Sequence, residues 1–175
     1  MSTAVDRRPA SDQYAPYYDK YISRVAPGDV VAALETQLEA TTALLRGIPE
    51  SKAGFRYAPE KWSIRELLGH VIDTERIFTY RALRFARGDK APLAGFDQDD
   101  YVAQANFESC SLAELISEFG HVRRSTISLF RHLAGEAWLR TGTANDAEVS
   151  VRALAYIIAG HELHHMEVLR EKYLS

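Results

Sequence analysis

The sequence predicts an all-α protein, a four-helix bundle, and three observations carry that prediction. Apolar residues recur at steps of three and four along four separate segments, while alternation with a period of two is nearly absent. Two of the segments open on capping boxes, Ser63 with Glu66 and Ser111 with Glu114. The last segment carries His161 and His165 at successive inward steps, where the other helices carry mostly apolar residues.

Taken in order, residues 1–26, with Tyr14, Tyr17, Tyr18 and Tyr21, read as an arm laid over the bundle. The first helix, 27–48, has the seam Val31, Leu34, Leu38, Thr41, Leu45, Ile48 and stops at Gly47 with Pro49. The second, 63–88, runs Ile64, Leu68, Val71, Glu75, Phe78, Ala82, Phe85 and ends at Gly88. The third, 111–134, runs Leu112, Leu115, Phe119, Val122, Thr126, Leu129, Leu133 and ends at Gly135. The fourth, 150–173, runs Val151, Leu154, Ile158, His161, His165, Val168. The connection from Asp89 to Cys110 is long enough to travel the length of a helix, which predicts a crossover making helices two and three parallel. The shorter connections, 49–62 and 135–149, then give an up-down-down-up order. No repeat or linker interrupts the pattern, so one domain over 1–175 is expected.

Composition narrows the function. Of 175 residues, 46% are hydrophobic and 26% charged, an ordinary globular mixture. Lys and Arg number 21 against 24 for Asp and Glu, and a formal charge of −3 gives no general pull toward nucleic acid or anionic membranes. A single cysteine, Cys110, excludes an internal disulfide and any Cys-rich metal site, so a metal must use His and carboxylates. The first 26 residues lack the apolar core of a signal peptide, and no apolar run approaches the ~20 residues that span a bilayer. A cytoplasmic protein is expected.

His161 and His165, four apart on one helix, present their side chains on one face and can share a metal. If the second and fourth helices run antiparallel, His70 reaches a similar height, which would complete a three-His site with positions open to water or substrate. His164 lies about 100° round the helix from His165 and falls off the seam, so it reads as a residue beside the site or on the surface. Asp73 and Glu75 are candidates to accept a ligand imidazole N–H; Glu75 has a rival role as the buried partner of Arg81, Arg84 or Arg123.

Two other metal readings fit less well. His161-Glu162-Leu163-His164-His165 matches the H-E-x-x-H pattern of zinc proteases, but only ten residues follow it and no strands are expected, so Glu162 reads as a solvated helix residue. Glu118 with His121 and Glu162 with His165 resemble the E-x-x-H pairs of di-iron bundles, but Glu118 and His121 miss their seam, and Glu35 and Glu39 miss theirs. His121 and His132 read as solvated. The acidic run Asp97, Asp99, Asp100 lacks the Gly and closing Glu of a calcium loop and reads as a solvated stretch of the crossover.

The segment Lys61-Trp62-Ser63-Ile64, followed by Gly69-His70-Val71-Ile72-Asp73-Thr74-Glu75-Arg76 and later by Gly160-His161-Glu162-Leu163-His164-His165, resembles the DinB/YfiT-like superfamily of metal-binding four-helix bundles. The resemblance covers about Tyr14 to Leu174. It implies one divalent metal ion, whether zinc, nickel, iron or manganese, on His70, His161 and His165. Family members differ at the position of Glu162. They include low-molecular-weight thiol S-transferases, a mycothiol-dependent isomerase and proposed hydrolases. The expected function is thus a metal-dependent transferase acting on a small molecule with a low-molecular-weight thiol. The alternatives are a metal-dependent hydrolase and a metal- or ligand-binding stress protein without turnover. A homodimer is the candidate assembly.

Overall fold

The computed structural model describes residues 7–175, so the first six residues of the predicted arm lie outside the described residues. The architecture is mostly helical. The four long helices are α2 (Val30–Arg46), α3 (Ile64–Ala86), α5 (Leu112–Arg131) and α6 (Val151–Val168), with short α1 (Asp19–Ile22) and α4 (Gln98–Gln104) beside them. A two-stranded sheet, β1 (Thr141–Ala144) and β2 (Ala147–Ser150), precedes α6.

Local chemistry sets the helix starts. Asp29 accepts from the amides of Val31 and Ala32 at the head of α2. Both capping boxes form: Ser63 and Glu66 satisfy each other's backbone N–H groups at α3, and Ser111 and Glu114 do so at α5. Ser150 caps α6, which widens into a π turn over Leu169–Tyr173. The ends of α2, α3 and α5 fall one to three residues inside the expected limits, and α6 with its π turn reaches the expected end at Tyr173.

Two expectations are corrected. The connection 135–149 contains a hairpin. Asn145 and Asp146, with φ of 52° and 59°, make the two-residue turn of positive φ that matches the twist of paired strands. Leu93 from the crossover adds to its edge through Thr143 and Asn145. The acidic run is solvated as expected, and Asp97 in addition accepts from the amides of Asp99 and Asp100 and starts α4. The arm, finally, is part of the core. Ile22 and Val25 are buried with the bundle, and α1 packs so closely on α6 that a Cβ at Gly160 would lie 2.0 Å from the carbonyl oxygen of Tyr21.

α3 packs against α5 and α6, and α2 packs against the same two. Residue pairings rise together on α3 and α5, from Glu75 with Arg123 to Thr79 with Thr126. They run oppositely on α3 and α6, where Tyr173 donates to the carbonyl of Trp62 while His70 meets His161. The core divides into two apolar clusters. One holds Ile22, Leu34, Phe78, Phe130, Trp138 and Ile158; the other holds Leu45, Leu68, Ile72, Phe119 and Met166.

Between the clusters lies a buried polar layer. Arg123, with no exposed surface, donates to both oxygens of Glu75 at 2.9 and 2.8 Å, and its Nη2 lies 2.5 Å from Glu162 Oε2. Thr41 donates to the other oxygen of Glu162, and Gln37 bonds the α6 backbone at Ala159. The third-helix seam therefore turns inward at Arg123 rather than Val122. Glu162 is a core residue, correcting its expected place in solvent, because a guanidinium on a neighbouring helix offsets the cost of burying its charge. Arg123→Met should destabilise the protein by about 3–5 kcal/mol, since it strands two carboxyls in the core. Urea unfolding measures this; a loss of less than about 1 kcal/mol would show that the layer adds little.

Candidate metal centre

α3 and α6 bring three predicted residues together. His70 and His161 are buried and His165 is partly so; their ligand atoms all lie within 4.8 Å of one another. His161 Nε2 stands 3.0 Å from His70 Nε2 and 3.1 Å from His165 Nε2. The surroundings fix the rings. Trp62 lies against His70 with ring centroids 4.7 Å apart, and Tyr21 meets His161 edge-on at 5.2 Å. Phe107 of the crossover presses on α3 beside His70, so closely that a Cβ at Gly69 would lie 2.4 Å from its ring.

Burial keeps these imidazoles neutral. It pulls His70 down to about 4. His161 is held well below its ordinary value by burial first and by His165 and His70 next; His165 is lowered by burial and then by His70. A neutral imidazole has one N–H and one ring lone pair, so His161 Nε2 can satisfy one of the two nitrogens facing it and not both. Thr74 Oγ1 lies 3.4 Å from His70 Nδ1, and an Nδ1–H donated there leaves the Nε2 lone pair free to point at the cluster.

These donors fit a divalent ion. Nitrogens that share one ion at about 2.0–2.1 Å must themselves stand roughly 3.0–3.4 Å apart, which matches the closest spacings in the cluster. Three uncharged nitrogen donors suit the first-row divalent metals without choosing among them.

The other candidates are placed elsewhere. Thr74, which the sequence reading passed over, is the side chain beside His70 Nδ1. Asp73 pairs with Arg76 at 3.3 Å, and Glu75 is engaged by Arg123. Of the three arginines weighed for Glu75, Arg123 is the partner; Arg81 donates to the Ala94 carbonyl and Arg84 pairs with Asp89. His164 lies against Tyr21 with the rings tilted at 59° and sits beside His165, on the rim of the cluster. The di-iron constellation is dispersed, because Glu118 pairs with Arg76 and His121 is exposed. His132 is exposed as expected.

Two clefts reach the cluster. One, of about 390 Å³, is bordered by His70 and His161, and the other, of about 400 Å³, by His164 and His165. Gln98 and Asp99, at the start of α4, line both. Sequence periodicity had no means of finding this, since α4 is short and polar.

Fold and cluster together define a mostly helical bundle with a three-histidine centre compatible with a metal ion. The chain belongs to the DinB superfamily, whose sequence pattern matches residues 33–169. It is similar in structure to YfiT from Bacillus subtilis, described as a probable metal-dependent hydrolase with an unusual four-helix bundle topology. That likeness has 14% identity, a TM-score of 0.67, and covers 97% of this chain and 95% of that one. A mycothiol-dependent maleylpyruvate isomerase aligns at 11% identity and a TM-score of 0.67, over 83% of this chain and 61% of its own. The DinB-like protein YjoA from Bacillus subtilis aligns at 21% identity and a TM-score of 0.57, over 80% of this chain and 85% of that one. At these identities the likeness is one of fold. No curated protein matches the sequence. Among the described residues, no helix is long and apolar enough to cross a membrane.

The depressed imidazoles make the metal-free protein acid-sensitive. Unfolded histidines take up protons near 6.5 and the folded ones only well below, to about 4 for His70, so the unfolded state binds more protons in that window. Stability should therefore fall as pH drops from about 6.5 toward about 4, and His70→Asn should flatten the dependence. Urea midpoints followed across that range test it; equal slopes for the two proteins contradict it.

Proposed function

We propose that this chain is a divalent-metal-dependent enzyme that holds its ion on His70, His161 and His165 and transfers a low-molecular-weight thiol to a small electrophile. The observation that carries the reading is the convergence of three neutral Nε2 atoms between two clefts. When bound, a divalent ion there would lower the pKa of a thiol or a water and supply a nucleophile near neutral pH. The residues of the chain do the rest. Thr74 is placed to accept an Nδ1–H from His70, Trp62 and Tyr21 pack against the rings, and the clefts admit the reactants.

Thiol transfer is favoured over hydrolysis by the fate of Glu162. In an H-E-x-x-H hydrolase that carboxylate is the general base, whereas here it is buried between Arg123 and Thr41. An acidified thiol needs no such base. The likeness to YfiT supports metal-assisted hydrolysis as the second reading, with Asp99, at the mouth of both clefts, as the carboxylate able to serve it. The paired residues of α3 with α5 and of α3 with α6 support the up-down-down-up order, within one domain. The single Cys110 supports a reducing, cytoplasmic setting.

The purified protein should carry about one divalent ion per chain. His70→Ala, His161→Ala and His165→Ala should each abolish binding, and His164→Ala should retain it. Elemental analysis reads this directly, and binding that survives in His165→Ala but not in His164→Ala overturns the ligand assignment. Metal-loaded protein given low-molecular-weight thiols and monochlorobimane should form the thioether faster than the His161→Ala variant does. Turnover of ester or amide substrates without thiol transfer would favour the hydrolase instead.

A further inference from the structure

The two clefts differ in their walls. The one bordered by His70 and His161 is built from Tyr17, Tyr18 and Tyr21 of the arm, Phe78 of α3 and Phe96 of the crossover. These rings are already set at edge contacts: Tyr18 meets Phe78 at 6.0 Å and 83°, and Tyr17 meets both Tyr18 and Tyr21. Two cations stand over these rings without lining the cleft. Arg81 stands 5.3 Å from the Phe78 centroid and 5.9 Å from that of Phe96 while donating to the Ala94 carbonyl, and Lys20 lies 3.8 Å from the Tyr17 centroid. Neither Lys nor Arg lines the cleft itself; its charged lining groups are Asp97 and Asp99, and the first is occupied in capping α4.

Such a lining offers ring edges and faces to an apolar, planar body and offers an anion no cationic side chain. Its inner end is the imidazole cluster, since Thr74, His70 and His161 close that side. The opposite cleft also carries rings, Tyr57, Trp62 and Tyr173, but sets Glu60, Lys61 and His164 among them, so its wall holds a cation that the first lacks.

We propose that the aromatic-walled cleft is the subsite for the electrophilic substrate, and that this substrate carries an uncharged aromatic or comparably planar apolar group seated among Tyr18, Phe78 and Phe96. This rests on the metal reading of the three histidines and names the substrate class that reading leaves open. A molecule so seated lies with its reactive end toward His70 and His161, and the opposite cleft, with Lys61 in its wall, is left for the second reactant. The arm then has a role beyond packing, because it supplies three of the five rings.

The test uses two metal-binding probes that differ in the group to be seated, benzohydroxamate and acetohydroxamate, titrated into the cobalt-loaded full-length protein and followed by the visible absorption of the ion. Benzohydroxamate should bind at least about tenfold more tightly than acetohydroxamate, as burial of a phenyl ring requires. Phe96→Ala should remove most of that advantage and leave acetohydroxamate affinity unchanged, whereas Tyr57→Ala, in the opposite cleft, should keep the advantage. Failure of both probes to perturb the ion overturns the reading of the three histidines as a metal centre open to reactants. Binding of both with no phenyl advantage, or an advantage lost in Tyr57→Ala rather than Phe96→Ala, leaves that reading standing and overturns the assignment of the cleft.

Discussion

The guanidinium of Arg123 is the point on which the centre of the bundle depends. It sits on α5 without exposed surface and is shared by Glu75 of α3 and Glu162 of α6. Burial alone would lower its pKa, but the attraction of the two carboxylates outweighs that and holds it charged. Burial pushes Glu162 the other way, up, against the pull of Arg123 and Thr41. Ions withdrawn from water are expensive unless paired, so any slide or rotation of α3 against α6 that separates these groups is penalised far more than a slip between apolar faces. The layer therefore acts as a register mark between two hydrophobic clusters that could otherwise repack.

The histidines inherit that register. Glu162 follows His161 directly, and Glu75 lies five residues beyond His70, so the pairing that fixes the carboxylates also fixes the height at which the imidazoles meet. Gly160 and Gly69 complete the arrangement by removing side chains where the arm and Phe107 must approach the two helices. The outcome is three neutral nitrogens facing one another across a helix pair, a placement in which His161 Nε2 cannot bond both neighbours and which suits an electron-pair acceptor. Protonation is a poor answer in so buried a place. A divalent ion held by all three would answer it.

Much of this was legible in the sequence, for reasons that can be stated residue by residue. Ser63 with Glu66 and Ser111 with Glu114 mark helix starts because their bonds are local. His161 and His165 could be read as partners because four residues on a helix is a distance in space. His70 could be matched to them because a bundle turns position along a helix into height. What escaped the reading depends on partners that sequence distance conceals. Glu162 looked solvated until Arg123, on another helix and one step off its seam, was found beside it. The hairpin was hidden because Thr141–Ala144 and Ala147–Ser150 are short and hold few β-branched residues, although the Asn145-Asp146 turn was a usable signal. Thr74 lay between two more conspicuous carboxylates, and α4 was masked by its acidic composition.

The central claim is that one divalent ion is shared by the Nε2 atoms of His70, His161 and His165. An anomalous difference map from crystals of the metal-loaded protein, collected at the absorption edge of the ion it carries, tests that most directly. The account predicts a single strong peak about 2.1 Å from all three Nε2 atoms. A peak centred on Glu118 and His121, or one bonded to His164 in place of His165, would contradict it.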